Sequence, residues 1–168
     1  VMNPPYSAKN WNRSELKVSD PRFADFGTLP PDSKGDFAFL LHGLFHLGIN
    51  GTMAIVLPHG VLFRGSVEGE IRKRLLEKGL IDTIIGLPSN LFTNTGIPVA
   101  IMILKKNRSL GDSVLVIDAS RSFIKVGKQN VLEEKDIAKI VDTYSNRTEI
   151  IGYSHLATRE EIIENDYN

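Results

Sequence analysis

The sequence predicts an α/β protein built on a mainly parallel sheet, and three observations carry that prediction. Short, continuous apolar runs bounded by prolines occur at Thr52–Leu57, Leu80–Leu87 and Pro98–Leu104, the pattern of strands buried on both faces. Stretches with helical spacing of apolar residues alternate with them, the order expected of a sheet crossed by helices. Finally, 168 residues with 42% apolar and 24% charged content supply about one domain of soluble chain with material for a core.

Taken in order, Val1-Met2 reads as the end of a strand that runs straight into Asn3-Pro4-Pro5-Tyr6. Two consecutive prolines fix φ and remove two backbone donors, so this turn is stiff and presents carbonyl oxygens. The residue before a proline is kept out of the helical region, which holds Asn3 extended with its side chain projected. The Asn3 side-chain oxygen and the Pro4 carbonyl are then two adjacent acceptors followed by an aromatic ring, a set that suits a planar substrate carrying an amino group. Taken alone, the tetrapeptide is better read as turn punctuation followed by a packing aromatic.

Residues 7–35 are polar, with scattered aromatics at Trp11, Phe23 and Phe26 and no periodicity. A connection this long is expected to be either a lid over the substrate or a loose surface loop. Asp36 is placed as the N-cap of a helix over Phe37–Leu47, closed by Gly48. His42 and His46 lie four apart on it, but no third ligand completes a known pattern, so no metal site is expected. After the first apolar run comes His59-Gly60-Val61-Leu62-Phe63-Arg64-Gly65, then a helix over Ser66–Lys78 with Val67, Ile71, Leu75 and Leu76 facing inward. The Gly60–Ser66 stretch half-resembles a phosphate loop; its missing lysine rejects a nucleotide-phosphate site.

The loop over residues 89–97 is short enough to make a hairpin, which would set the strand at Pro98–Leu104 antiparallel at the sheet edge. A charged turn, a strand over Val114–Ala119 and the polar segment Gly127-Lys128-Gln129-Asn130 follow. A helix over Glu133–Tyr144 is expected to bury Ile137, Ile140, Val141 and Tyr144. A last helix starts at Thr158, with Glu161 completing a capping box. The chain thus divides into residues 1–106 and a small α/β extension, 107–168, suited to docking. Ligands of such sheets gather at the carboxyl ends of the strands. That places the Asn3–Tyr6 turn, the His59 loop and the start of the 89–97 loop on one rim.

Composition narrows the chemistry. The absence of cysteine excludes disulfides, thiolate metal sites and a cysteine nucleophile, and fits a reducing cytoplasm. No apolar run has the length of a membrane span. Net charge is zero with no polybasic run, so the overall field is not expected to grip nucleic acid. Lys9 and Arg13 are DNA-contact candidates only by nearness to the turn.

With Asn3-Pro4-Pro5-Tyr6, Asp36-Phe37-Ala38-Phe39, Leu57-Pro58-His59-Gly60-Val61-Leu62-Phe63-Arg64-Gly65 and Gly96-Ile97-Pro98 in this order, the chain resembles the modification (methyltransferase) subunit of type I restriction–modification systems. The resemblance spans essentially the whole chain, and the closing Glu164-Asn165-Asp166-Tyr167-Asn168 is similar too. Many amino-methyltransferases share the tetrapeptide, including those acting on glutamine in proteins; the His59–Gly65 and Gly96–Pro98 stretches make the match specific. The resemblance implies a Rossmann-like methyltransferase sheet, methylation of adenine N6 in DNA, S-adenosyl-L-methionine as cofactor, and specificity and restriction subunits as partners. It implies that Asn3 and the Pro4 carbonyl accept the hydrogens of the adenine amine within the catalytic set Asn3, Pro4, Pro5 and Tyr6. The base would be flipped out of the duplex, with Tyr6 stacked on it and Phe92 packed beside it; the other reading of Phe92 is a core aromatic over the sheet end.

One departure from the family pattern matters. Its cofactor fingerprint, a glycine-rich turn and a following acidic residue, lies upstream of the tetrapeptide, and no Gly-x-Gly occurs in this sequence. The chain is therefore expected to be the C-terminal, target-base half of a methyltransferase sheet plus its extension, a fragment inactive alone. It opens on Val1, inside a strand, and unpaired strand edges would favour self-association. The alternatives are a protein-glutamine methyltransferase fragment and a non-catalytic interaction module.

Overall fold

In the computed structural model, which describes residues 1–93 and 95–168, the strands are β1 (Thr52–Pro58), β2 (Ile81–Gly86), β3 (Val99–Lys105), β4 (Val114–Asp118), β5 (Ile124–Val126), β6 (Gln129–Val131) and β7 (Ser154–Ala157). The helices are α1 (Asp36–His46), α2 (Ser66–Glu77), α3 (Glu134–Asn146) and α4 (Arg159–Glu164). Five strands form one sheet in the order β1-β3-β2-β4-β7, and β5 and β6 pair as a separate hairpin. Met2 adds a parallel bridge on the outer side of β1, donating to the Ala54 carbonyl at 2.9 Å and accepting from the Val56 amide at 3.0 Å.

The α/β class stands, with a correction to the sheet. β3 is antiparallel, as the hairpin argument allows, yet it lies between β1 and β2 and not at the edge. Of the pairings between the strands of this sheet, only β2 with β4 is parallel. The physical reason is burial: Val99, Ala100, Met102, Ile103 and Leu104 are all buried, and a strand apolar on both faces is stable only where neighbours flank it. Because β3 alone is reversed among the first four strands, β1, β2 and β4 still point one way. Their carboxyl ends share one edge, as the rim argument requires.

Helices α1 and α2 cover one face, packing Phe37, Leu40, Leu41, Ile71 and Leu75 against Ile55, Leu57, Met102 and Leu104. α3 covers the other, with Ile140 and Tyr153 over Ile85, Val99, Leu115 and Ile117. Residues 7–35 are not a loose surface loop. Two 3-10 turns, Arg13–Glu15 and Ala24–Phe26, shape the segment, and Phe23, Phe26 and Leu29 enter the core beside α1. Its ends are joined by the Gly35 amide donating to the Ala8 carbonyl at 2.8 Å, and Trp11 Nε1 donates to the Pro31 carbonyl at 3.0 Å.

Two helix expectations change. Asp36 is not a cap but the first residue of α1, with Gly35 in the cap position. On α3, Ile140 and Thr143 are buried, whereas Ile137 and Val141 are 48% and 52% exposed. A capping box through Glu133 and Asp136 fixes the start of α3, and Lys139 lies over the Tyr153 ring. The buried side of the helix is therefore that of Ile140 and Thr143. β4 and β7, from the second part of the chain, complete the same sheet as residues 52–105. α4 carries the expected capping box, Thr158 with Glu161. No helix is long and apolar enough to cross a membrane among the described residues.

Candidate active site

The turn after Met2 stands at the edge where β1, β2 and β4 end. Asn3 is exposed and Tyr6 half-buried, and the Tyr6 hydroxyl donates to Asn3 Oδ1 at 3.0 Å. Burial raises the Tyr6 pKa above its ordinary value, so the hydroxyl remains a donor at neutral pH. A side-chain carbonyl oxygen has two lone pairs. Tyr6 therefore orients Asn3 and leaves it capacity for one more donor.

The exit from the turn is locked from below. Ser7 has φ of 49°, the left-handed region that costs a non-glycine residue energy unless its surroundings hold it there. Asp36 supplies the hold: its Oδ1 accepts from the Ser7 amide at 2.7 Å, and its Oδ2 from Arg64 Nη1 at 2.8 Å. Asp36 is fully buried. Arg64 also meets Glu68 at 3.0 Å, and its carbonyl accepts from Arg72 Nη1 at 2.8 Å. Gly60 leaves the passage for this guanidinium, since a Cβ there would lie 2.6 Å from Arg64 Nε.

The other side of the rim is joined through the backbone. The His59 amide donates to the Pro98 carbonyl at 3.0 Å, and the Leu87 amide to the Val99 carbonyl at 2.9 Å. Asn90 has φ of 54°, and its side-chain oxygen would lie 2.8 Å from any Cβ at Gly96. Phe92, half-buried in this loop, places its ring 6.0 Å from that of Tyr6, edge to face at 77°. Hydrogen bonds from Ser120, first through its side chain and then its backbone, hold the Asp118 carboxyl below its ordinary pKa at the end of β4.

The structure thus brings together Asn3, Pro4, Pro5, Tyr6 and Phe92. Asn94 of the 89–97 loop lies outside the described residues. Lys9 is exposed, while Arg13 is used within its own segment, donating from Nε to the Pro30 carbonyl at 2.8 Å. His42 and His46 lie exposed on α1 with ring centres 4.7 Å apart. Sequence reasoning missed the Ser7–Asp36–Arg64 lock. The available signal was that Asp36 and Arg64 both fall within the stretches that carry the resemblance, although neither is near the turn in sequence.

An antiparallel strand is thus set between two that point the other way, with Asn-Pro-Pro-Tyr at their carboxyl edge. The model of the N-6 DNA methylase family matches residues 1–168, and the chain belongs to that family. Among curated proteins it is 44% identical over 170 residues to the type I restriction enzyme MpnII methylase subunit of Mycoplasma pneumoniae, covering 100% of this chain and 31% of that protein. It is 39% identical to the HindI methylase subunit of Haemophilus influenzae, covering 99% of this chain and 39% of that one. The crystal structure of the type I restriction-modification system methyltransferase subunit from Streptococcus thermophilus matches with TM-score 0.94 and 58% identity, over 99% of this chain and 35% of that chain. The chain spans about a third of the length of these relatives.

Proposed function

We propose that the chain forms the target-base side of a DNA adenine-N6 methyltransferase and works within the modification subunit of a type I restriction–modification enzyme. The observation that carries this reading is the rim itself: Asn3, Tyr6 and Phe92 stand together, with the Tyr6 hydroxyl holding Asn3 Oδ1 at 3.0 Å. Asn3 Oδ1 and the Pro4 carbonyl accept the two hydrogens of the adenine amine. Those bonds draw the nitrogen toward a tetrahedral geometry and aim its lone pair away from the ring, so they strengthen as the transition state is approached. S-adenosyl-L-methionine, the cofactor this reading requires, supplies an electrophilic methyl carbon bonded to a sulfonium. When bound it would supply that methyl group to the amine nitrogen held by Asn3 and Pro4, and the methylated amine would lose its proton to water with no strong base required.

The residues present fit the adenine amine and not the cofactor, because the chain holds acceptors at the turn but no Gly-x-Gly cradle. In this reading the cofactor is held by residues outside these 168. Tyr6 stacks on the flipped adenine, and Phe92 braces it edge-on. The curated relatives are named as subunits of type I restriction enzymes. The proposed partners are therefore specificity and restriction subunits, with residues 107–168 outside the β5–β6 hairpin as docking surface. Self-association of the isolated chain would use the sheet edge beyond the Met2 bridge to β1.

The test is methyl transfer by the full-length protein to duplex DNA, with the product nucleoside identified, for the parent and Asn3→Ala. The variant is expected to lose on the order of 10²–10³ in kcat with DNA affinity retained. Transfer to a glutamine-bearing peptide and none to DNA would sink the reading in favour of a protein methyltransferase.

A further inference from the structure

We infer that the β5–β6 hairpin is a phosphate-gripping ribbon that holds duplex DNA beside the target base, an inference that rests on the adenine-methylation reading. Three facts support it. Residues 119–132 contain Arg121, Lys125 and Lys128 and no carboxylate, in a chain whose net charge is zero. All three cations are exposed, and among the described residues none forms an ion pair. By contrast, Arg22, Arg64, Arg108 and Arg147 are each bound to carboxylates.

The second fact is position. The hairpin leaves the carboxyl end of β4, the edge that carries Asn3, and is tied to the loop that bears Phe92. The Asn130 amide donates to the Asn90 carbonyl at 3.0 Å, and Asn130 Nδ2 to the Ser89 carbonyl at 2.8 Å. Asn130 is buried. The third is that the ribbon has little core of its own: all of β5 is exposed, including Ile124 and Val126. A two-stranded ribbon is marginal alone, so its anchoring to the rim needs a use. A ribbon of this kind fits the major groove, and its cations neutralise phosphates. The chain's neutral overall field is then no obstacle, because the grip is local.

The experiment measures binding of duplex DNA to the full-length protein across a salt series, for the parent, for Arg121→Ala/Lys125→Ala/Lys128→Ala, and for Arg121→Lys/Lys125→Arg/Lys128→Arg. Each phosphate that the protein no longer neutralises should lower the slope of log K against log salt by about 0.9, so the alanine variant should fall short of the parent by about 2–3. Its KM for DNA should rise while kcat at saturating DNA holds, and the charge-preserving variant should keep the parental slope. Lys128→Ala alone, in the exposed turn, gives the same reading on a smaller scale should the triple variant fold poorly. An unchanged slope overturns the inference. So does an unchanged slope with loss of a co-purifying subunit, which would assign the ribbon to a protein partner. A parent that methylates no DNA adenine would overturn the functional reading instead, so the two failures are distinguishable.

Discussion

Tyr6 does two things that substitutions can separate. Its hydroxyl orients Asn3, and its ring meets Phe92. Tyr6→Phe keeps the ring and removes one neutral hydrogen bond, a change of about 1 kcal/mol, so kcat for methyl transfer should fall by less than about tenfold. Tyr6→Ala also removes base–aromatic stacking worth about 1–3 kcal/mol, and should cost a further ten- to hundredfold in kcat/KM. Steady-state kinetics on one duplex reads both. If the two variants behave alike, the ring is not a stacking platform. Asp36 is the complementary case, a fully buried carboxylate shared by Ser7 and Arg64. Asp36→Ala should destabilise the fold by about 3–5 kcal/mol, seen as a lower urea midpoint, while Asp36→Asn keeps an acceptor for Ser7 and should lose less. Asn3 to Tyr6 were legible in the sequence because two prolines impose their geometry locally. The role of Asp36 was not, because its partners lie 29 and 28 positions away and a carboxylate heading an apolar helix reads first as a cap.

Secondary-structure elements were legible where a single rule governs them. Proline-bounded apolar runs became β1, β2 and β3 within a residue or two, since burial on both faces leaves no other use for them. The place of β3 was not legible, because periodicity reports burial and says nothing of which neighbours provide it. Residues 7–35 hid their structure for a related reason: three apolar side chains, Phe23, Phe26 and Leu29, dock a segment whose remainder is polar. At the junction of β7 with α4, His155 Nδ1 meets Glu149 at 2.7 Å and Nε2 meets Glu161 at 3.1 Å. Chiefly through Glu161, the imidazole pKa is raised above its ordinary 6.5, so its stabilisation is complete below that value and lost as pH rises through the raised one. Glu149 and Glu161 are lowered from 4.5, chiefly by the backbone amides of Leu156 and Thr158, so their contribution holds above that value and fades as pH falls through the lowered ones. Amide exchange across Ser154–Glu164 should therefore be slowest between about 4.5 and 6.5 after correction for intrinsic rates. His155→Gln should abolish the loss on the alkaline side; a parental profile in that variant would reject the assignment.

At the scale of the whole molecule, one edge of the sheet carries the proposed site and the opposite edge carries ties. At the amino end of β2, Asp82 gathers Lys105, Arg108 and Arg147, which pins β2 and β3 to the chain that follows them. The candidate edge was legible because ligands of such sheets gather at the carboxyl ends of strands, and the Asn3–Tyr6 turn, the His59 loop and the start of the 89–97 loop do lie along one edge. The β5–β6 ribbon was not, since three cations spread over eight residues look like an ordinary solvated turn until Asn130 ties them to the rim. The central position of β3 also sets a timetable for synthesis. β1 and β2 do not pair with each other; both bond to β3, which is translated after them. At roughly 5–20 residues per second, β1 waits several seconds outside the ribosome with its inner edge unpaired. Only when residues 99–105 emerge does either strand gain its partner. Until then the nascent chain offers unpaired apolar strand edges to whatever is near.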